Sequence, residues 1–282
     1  MKILTASLVI FLSIGFVSQC HVQDKNIPTG SNQTIVGKET TIWFLGHCGF
    51  AVQTSNHFLI FDYVEKRLEN SYPKPVTLHL ATGYINPEEI KNFKVRVFVT
   101  HEHGDHYDPV IFEWEKNIPD IQYFFGWQAS NEPQYHYLLA PRAEWKTDGL
   151  EIFTINSHHS GVPEVAYLVK VDSLVIYHNG DYRGNYQEDM PYMKSKADSI
   201  DLAFTSCVWQ EQWEYSRLNL ELITQLQPKA VFPMHVRVGD EDQYFTPFQD
   251  TYQSLLQEGQ IILTNNKKGA KFLYKDGIII TK

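Results

Sequence analysis

A histidine-rich segment directly after an apolar run constrains this chain more than any other feature. The run Val95–Val99 is typical of a buried strand, and His101–His106 follows it with the sequence His-Glu-His-Gly-Asp-His. Three imidazoles and a carboxylate so close together at a strand end differ from an ordinary polar loop. Zn²⁺ binds imidazole nitrogen and carboxylate oxygen, and catalytic sites keep one coordination position open. The segment therefore predicts a metal site.

The spacing within this segment divides its ligands between two ions. His101 and His103 are two residues apart, so in an extended chain their side chains point the same way and can share one ion. Gly104 allows a sharp turn that brings Asp105 and His106 to a second ion. Two metals that share a water molecule would form a site for hydrolytic attack.

The motif at His101–His106 resembles the signature of the metallo-β-lactamase superfamily. The resemblance implies an α/β (α+β) fold, a four-layer αββα sandwich with one or two metals at one edge. It also implies three later ligands: a histidine, an aspartate after a strand, and a last histidine. Asp181 follows the β-branched run Leu174–Tyr177, and His235 follows the strand-like Ala230–Met234.

The middle histidine has two candidates, His158 and His159. Neighbours in an extended segment face opposite sides, so we expect only one of them to coordinate. We favour His159, because relatives with a single histidine tend to have His-Ser at this point. His158 would then donate a hydrogen bond near the site or touch the substrate.

The resemblance implies a ligand set for each ion. The first ion would be held by His101, His103, His159 and Asp181, and the second by Asp105, His106, His235 and again Asp181. The expected cofactor is two Zn²⁺ ions, with Mn²⁺ or iron as alternatives. A water or hydroxide between the metals would be the nucleophile, and Asp105 would orient it or accept its proton.

An upstream motif supports the same family. Thr41–Val52 and Phe58–Asp62 are predicted to form two strands joined by a turn at Gln53–His57. This resembles the opening hairpin of the branch that contains ascorbate-6-phosphate lactonase and N-acyl phosphatidylethanolamine phospholipase D. His47 and Asp62 either border the pocket or serve only packing and strand termination, and both interpretations stay open.

Three functions are compatible with this pattern. The first is a metal-dependent hydrolase whose substrate is a small lactone or phosphodiester. The second is a mononuclear-iron oxygenase resembling persulfide dioxygenases, whereas His103 argues against the diiron flavoproteins, which have a glutamate there. The third is a non-enzymatic metal-binding surface protein, which the ligand set disfavours because structural metal sites are usually closed and rich in cysteine.

Length and charge limit the partners. The 282 residues, 43% of them hydrophobic, suffice for one large domain, which we place at residues 39–282. A formal net charge of −9 is a poor match for nucleic acid, so we expect a small-molecule substrate and no nucleic-acid partner. Oligomeric state stays open.

The first residues are predicted to be a leader. Residues 1–19 have a basic start and an apolar stretch, as in an export signal, and Phe16–Cys20 resembles a lipoprotein cleavage box. We expect a lipid anchor at Cys20, a flexible tether over residues 20–38, and a location in the bacterial periplasm or on the outer surface. An ordinary secreted protein is the alternative. A bridge between Cys48 and Cys207 also stays open.

Three aromatic-rich loops, Tyr63–Tyr84, Trp127–Trp145 and Tyr182–Tyr192, are expected near the site. They would suit a substrate with an apolar or sugar-like face, unless their rings only pack the loops. Other predicted elements are the helices Pro87–Asn92, Leu218–Gln227 and Pro247–Gln257, a long β segment Leu150–Asp181, and the strands Ile121–Phe125, Leu202–Ser206, Lys271–Tyr274 and Gly277–Thr281.

Overall fold

The computed structural model describes residues 39–65, 74–128, 136–138, 142–207, 213–236, 239–264 and 267–281. The predicted leader and tether, including Cys20, lie outside these ranges. Within them, no helix is both long enough and apolar enough to cross a membrane.

The strands form two sheets. The first contains β1 Thr40–Gly46, β2 Gly49–Gln53, β3 His57–Phe61, β4 Lys94–Val99, β5 Ile121–Phe125 and β6 His136–Tyr137, together with the last two strands, β14 Lys271–Lys275 and β15 Ile278–Thr281. Its order is β15-β14-β1-β2-β3-β4-β5-β6. The β3, β4 and β5 strands are parallel to one another, whereas β1, β2, β14 and β15 pair antiparallel.

The second sheet contains β7 Glu144–Thr147, β8 Leu150–His159, β9 Val162–Val171, β10 Leu174–His178, β11 Leu202–Ser206, β12 Ala230–Met234 and β13 Ile261–Ile262. Its order is β13-β12-β11-β10-β9-β8-β7. The strands from β10 to β13 are parallel, and β7 to β10 form an antiparallel meander.

Helices lie on the outer faces of both sheets. They are α1 Pro87–Ile90, α2 Tyr186–Lys196, α3 Trp213–Glu221 and α4 Glu241–Tyr252, with 3₁₀ helices at Leu80–Thr82, Pro109–Lys116 and Gln253–Leu255 and a π-helical turn at Leu222–Leu226. The α1 helix begins at Pro87 after the N-cap Asn86, whose side chain accepts a hydrogen bond from the Glu88 amide.

Alternation along the strands separates the layers. In β1, Ile42 and Phe44 face the core between the two sheets, whereas Trp43 and Leu45 pack with the 3₁₀ helix Pro109–Lys116 on the outer face. Two further apolar clusters join the second sheet to α2 and α3, and to α4. The four-layer αββα sandwich predicted from the sequence is therefore confirmed.

Several predicted elements differ from the structure because turns interrupt them. The predicted strand Thr41–Val52 was wrong as a single strand, since the chain turns at His47 and Cys48. Gly46 (φ 102°) and His47 (φ 52°) adopt left-handed backbone that no strand can continue. The predicted turn between Gln53 and His57 is confirmed.

The long β segment Leu150–Asp181 is three strands, separated by turns at Ser160–Gly161 and Asp172–Ser173. Helix boundaries also differ from the prediction. The helix predicted for Pro87–Asn92 ends at Ile90. The helices predicted to begin at Leu218 and Pro247 begin earlier, at Trp213 and Glu241. The segment Tyr182–Tyr192, predicted to be a loop, contains the first turns of α2. Asn185 caps this helix by accepting from the Gln187 amide, and the helix continues through Pro191.

Candidate metal centre

The candidate ligands follow the carboxyl ends of strands from both sheets. Asp62 directly follows β3, and His235 directly follows β12. His101 lies two residues after the end of β4, and Asp181 lies three residues after the end of β10. In parallel strands these ends lie at the same edge of a sheet, where the connecting loops can supply side chains to one site. Direct contacts between the two groups of loops show that they meet.

His106 lies at the middle of the site and is fully buried. Its Nδ1 lies 2.7 Å from Asp62 Oδ2, and its Nε2 lies 3.3 Å from Asp181 Oδ1. Burial alone would lower the pKa of His106, but interactions with Cys48, Asp181 and Asp62 raise it well above its ordinary value. The ring is thus held between two carboxylates, with Nε2 directed at Asp181.

Asp62 is a partner of His106 rather than a strand-terminal carboxylate. Its Oδ1 accepts from the Thr100 amide and its Oδ2 from the Thr100 hydroxyl, both at 2.8 Å. Burial would raise the pKa of Asp62, but the charge of His106 and its hydrogen bond to Asp62 lower it. Of the two interpretations left open by the sequence, the structure supports the one that places Asp62 beside the site.

Asp181 joins His106 to the last predicted ligand. His235 Nε2 lies 2.9 Å from Asp181 Oδ1, the same oxygen that faces His106. Burial favours the protonated carboxyl, yet the charges and hydrogen bonds of His106 and His235 hold the pKa of Asp181 well below its ordinary value. One carboxylate oxygen therefore lies between two imidazole nitrogens of the predicted ligand set.

His101 and His103 form the neighbouring pair. His101 Nε2 lies 3.0 Å from His103 Nδ1, while His101 Nδ1 lies 3.3 Å from Glu164 Oε1 on β9. Glu164 is itself fixed, since its Oε2 accepts from the Ser157 hydroxyl at 2.8 Å and its Oε1 accepts from the Asp181 amide at 2.6 Å. Glu164 thus links the His101 ring to the turn that carries Asp181.

Gly180 explains the Gly-Asp sequence before the site. Its φ is 54°, and a Cβ there would lie 2.6 Å from Glu164 Oε1 and 2.7 Å from Thr100 Oγ1. Any side chain would displace the two residues that hold His101 and Asp62. Glycine at this position therefore allows both the turn and the close approach of Glu164 and Thr100 to the backbone.

His47, Cys48 and Asp105 occupy the other side of His106. His47 Nε2 lies 3.5 Å from Asp105 Oδ2, and His47 Nδ1 lies 3.0 Å from the Val236 carbonyl. Burial would lower the pKa of His47, but Cys48 and Asp105 raise it to about 9. Burial likewise opposes ionisation of Asp105, whereas hydrogen bonding to His47 and the charge of His106 lower its pKa below the ordinary value.

These side chains fit a divalent metal. His101, His106 and Asp181 each place a donor atom within 4.8 Å of the others, as do His47, Cys48, His106 and His235. Two nitrogens bound to one tetrahedral Zn²⁺ lie about 3.3 Å apart, close to the 3.0 Å between His101 Nε2 and His103 Nδ1. Carboxylates on the far ring nitrogens of metal-binding histidines are typical of such sites, and Asp62 and Glu164 occupy these places.

His178, which the sequence analysis did not single out, supports the turn before Asp181. Its Nε2 donates to the Cys48 carbonyl at 2.9 Å and its Nδ1 accepts from the Gly180 amide at 3.3 Å. Burial lowers the pKa of His178, in agreement with this neutral tautomer. Its ring stacks on Phe61 at 5.2 Å, so its role is structural.

The structure also bears on the predictions for the middle histidines, the two cysteines and the aromatic loops. The side chain of His159 lies outside the described part, so its predicted role stays a prediction, whereas His158 is exposed. Cys48 and Cys207 are both buried free thiols, so they do not form the disulfide bridge that the sequence left open. Of the loop aromatics, Tyr84, Trp127 and Tyr182 are buried, as expected for rings that pack the loops.

Comparison with known proteins agrees with this geometry. A model of the beta-lactamase superfamily domain matches residues 41–235. A UPF0173 metal-dependent hydrolase of Thermococcus kodakarensis is 26% identical over 205 residues, covering 68% of this chain and 82% of the relative. One from Pelotomaculum thermopropionicum is 28% identical over 211 residues, covering 69% and 83%.

The solved structure of Igni18, a metallo hydrolase from Ignicoccus hospitalis, has a similar fold, with a TM-score of 0.58 and 17% identity. The match covers 84% of this chain and 99% of the Igni18 chain. The match to the family model covers more than half of the chain and includes the His101–His106 motif, Asp181 and His235. The chain therefore belongs to the metallo-β-lactamase superfamily.

Proposed function

We propose that this metal-dependent hydrolase of the metallo-β-lactamase fold binds two zinc ions and cleaves a small lactone or phosphodiester. The observation that carries the proposal is the position of Asp181 Oδ1, 3.3 Å from His106 Nε2 and 2.9 Å from His235 Nε2. Both histidines belong to the second ion's set, and a donor atom of His101, from the first ion's set, lies within 4.8 Å of one of Asp181. A carboxylate placed between the two sets suits two ions with a common ligand.

The residues would divide as the sequence suggested. His101, His103 and Asp181, with His159, would hold one ion, and Asp105, His106, His235 and Asp181 would hold the other. When bound, two such ions polarise the scissile group and lower the pKa of a water molecule toward neutrality. The far nitrogens of His101 and His106 face Glu164 and Asp62, which leaves Nε2 of each ring available as the ligand atom.

Asp105 is the side chain that we assign to proton transfer. Its pKa is lowered below the ordinary value, so the carboxylate is ionised at neutral pH and can accept a proton. Burial would lower the pKa of His47, but Cys48 and Asp105 raise it to about 9, which favours its pairing with the Asp105 carboxylate. The contact between His47 Nε2 and Asp105 Oδ2, at 3.5 Å, would hold the carboxylate in one orientation.

Metal analysis of the purified full-length protein tests the cofactor. Two zinc or manganese ions per chain would support the proposal, whereas a single stoichiometric iron would favour the oxygenase alternative. Asp181→Ala should remove metal and activity together. Asp172→Ala is the matched control, because Asp172 binds Thr54, Asn56 and His57 near the starts of β3 and β10, whereas Asp62 and Asp181 follow the ends of these strands. If Asp181→Ala keeps both metal and hydrolysis, the shared-ligand assignment is wrong.

A substrate panel tests the reaction. We expect hydrolysis of a lactone or a phosphodiester by metal-replete protein, and none of a β-lactam. Oxidation of a glutathione persulfide with consumption of oxygen would instead identify an oxygenase. Inactivity toward every member of the panel, with full metal content, would favour a surface protein that only binds metal.

We also propose that the protein is exported and anchored through Cys20, and that its substrate is a small molecule rather than nucleic acid. The lipoprotein-like segment Phe16–Cys20 supports the first statement and the formal net charge of −9 supports the second. Expressed in a bacterial host, the wild-type protein should enter the membrane fraction and take up radiolabelled palmitate. Cys20→Ala should do neither, and unchanged fractionation would contradict the anchor.

A further inference from the structure

A cavity with two arginines adjoins the candidate metal centre. It has a volume of about 490 Å³ and lies between the end of β8, the segment after Asp181, the start of α2 and the helix α3. Its lining residues are His158, Arg183, Gly184, Asn185, Tyr186, Gln187 and Arg217. No carboxylate stands among these described residues, although the chain as a whole is acidic.

The cavity is close to the proposed reacting groups. Arg183 is two residues from Asp181, so their Cα atoms lie within about 7 Å of each other. The Arg183 amide donates to Ser157 Oγ at 2.9 Å, and Ser157 Oγ donates to Glu164, the partner of His101. These contacts place one wall of the cavity beside the residues that hold His101 and Asp181.

The backbone brings these groups together by close packing at Gly184. A Cβ at Gly184 would lie 2.4 Å from the Asn156 carbonyl oxygen and 2.7 Å from Tyr182. Only glycine allows the chain to pass this close to β8 between Arg183 and the helix α2. On the far wall, the Arg217 guanidinium lies 5.3 Å from the centre of the Tyr186 ring, a cation–π distance.

The acidic residues of the first turn of α2 contact Arg142. Asp189 Oδ1 lies 3.4 Å from Arg142 Nη2, and Asp189 also accepts from the Tyr182 hydroxyl. Glu188 accepts from the Asn185 amide group and lies 3.7 Å from Arg142. Arg142 thus balances these carboxylates outside the cavity, while the amino end of α2 adds a partial positive charge inside it.

We propose that this cavity binds an anionic group of the substrate, a phosphate or a carboxylate, while the adjoining centre acts on the bond to be cleaved. Resting on the proposed function, this narrows the substrate to a small molecule with an anionic group near the scissile bond. Arginine guanidinium groups bind both anions through paired hydrogen bonds. Tyr186 provides an aromatic face beside them for the rest of the molecule.

Isothermal titration of the full-length protein, with its metal, tests the cavity directly. The probes are inorganic phosphate and succinate, at low ionic strength. Arg183→Gln and Arg217→Gln should each weaken binding of the preferred anion about tenfold or more. Lys91→Gln, which removes one positive charge beside α1 on the other sheet, should bind as the wild type does. Dependence on both arginines with phosphate alone identifies a phosphate group, and with succinate alone a carboxylate.

Phosphate can also bind metal, so the series is repeated in the Asp181→Ala background. Binding that still depends on Arg183 and Arg217 there supports the cavity. Binding that disappears with Asp181→Ala but does not depend on either arginine would overturn it, as would an equal loss in Lys91→Gln. The readout requires no turnover, so failure of the anion site and failure of the proposed hydrolysis are separate results. Arg217 is exposed, so its variant should fold even if the Arg183 variant does not.

Discussion

Asp62→Asn is the substitution that most directly tests how the candidate centre is held. It preserves the size of the side chain and removes one charge. It also adds no backbone strain at position 62, because asparagine tolerates the left-handed φ of 42° found there. Any effect on metal should therefore come from the hydrogen bonds of the carboxylate.

The three donors around Asp62 leave no satisfactory orientation for an amide. With its NH₂ group in place of Oδ2, the amide faces the Thr100 hydroxyl at 2.8 Å and His106 Nδ1 at 2.7 Å. His106 would then carry its proton on Nε2, which faces Asp181, and could not ligate through that atom. In the opposite orientation, the NH₂ group meets the Thr100 amide, so that two donors face each other.

The magnitude follows from these contacts. Loss of the partner of a metal-binding histidine typically weakens metal affinity about 10- to 100-fold. One or two unsatisfied buried groups should also lower the free energy of unfolding by about 2–4 kcal/mol. The affinity is measured by competition with a zinc-chelating dye, and the stability of the metal-free protein by urea unfolding.

Asp172→Asn is the matched control for Asp62→Asn. Asp172 also accepts several hydrogen bonds, from the Thr54 hydroxyl at 2.6 Å, the Asn56 amide group at 2.7 Å and His57 Nδ1 at 3.1 Å. It should lose stability while keeping the metal affinity of the wild type. Wild-type affinity in Asp62→Asn, or an equal loss of affinity in both variants, would refute the proposed role of Asp62.

Two further predictions concern the scaffold. Burial would raise the pKa of Asp172, but hydrogen bonds from Thr54, Asn56 and His57 lower it. The contribution of Asp172 to stability is therefore present above about pH 4 and is lost as the pH falls through the lowered pKa. The difference in urea-unfolding free energy between wild type and Asp172→Asn should shrink from pH 7 to pH 3, and a constant difference would contradict this. Gly126→Ala would place a Cβ 1.8 Å from the Thr100 carbonyl oxygen, so it should destabilise the fold by about 3 kcal/mol or more, and an unchanged urea midpoint would show that this segment moves freely.

The sequence predicts the fold and the order of the candidate ligands because both depend on local patterns. Alternation in β1 separates Ile42 and Phe44 from Trp43 and Leu45. His101, Asp181 and His235 each lie within three residues of the end of an apolar strand. A strand that ends in a ligand-rich loop is visible without knowledge of its neighbours. The predicted αββα layering needs no long-range information beyond this pattern and the family resemblance.

The residues that hold the ligands were harder to predict because they come from other strands. Glu164 lies inside β9 in a segment with no ligand-like motif, and it reaches His101 only through the pairing of the sheet. His178 resembles one more histidine near a ligand, yet its contacts show a structural role. The start of α2 was missed because the aromatic residues of Tyr182–Tyr192 suggested a loop, whereas the cap at Asn185 initiates a helix.

Three residues of the candidate centre have a backbone conformation that residues other than glycine rarely adopt. His47, Asp62 and His235 have φ values of 52°, 42° and 66°, and each immediately follows a strand. Left-handed backbone at residues other than glycine costs about 1–2 kcal/mol each. Glycine would remove that cost at each position but would also remove an imidazole or carboxylate of the site. The buried sheets must therefore offset local strain at the same strand ends where His106 and Asp181 are brought together, so stability and chemistry impose opposite demands on these three residues.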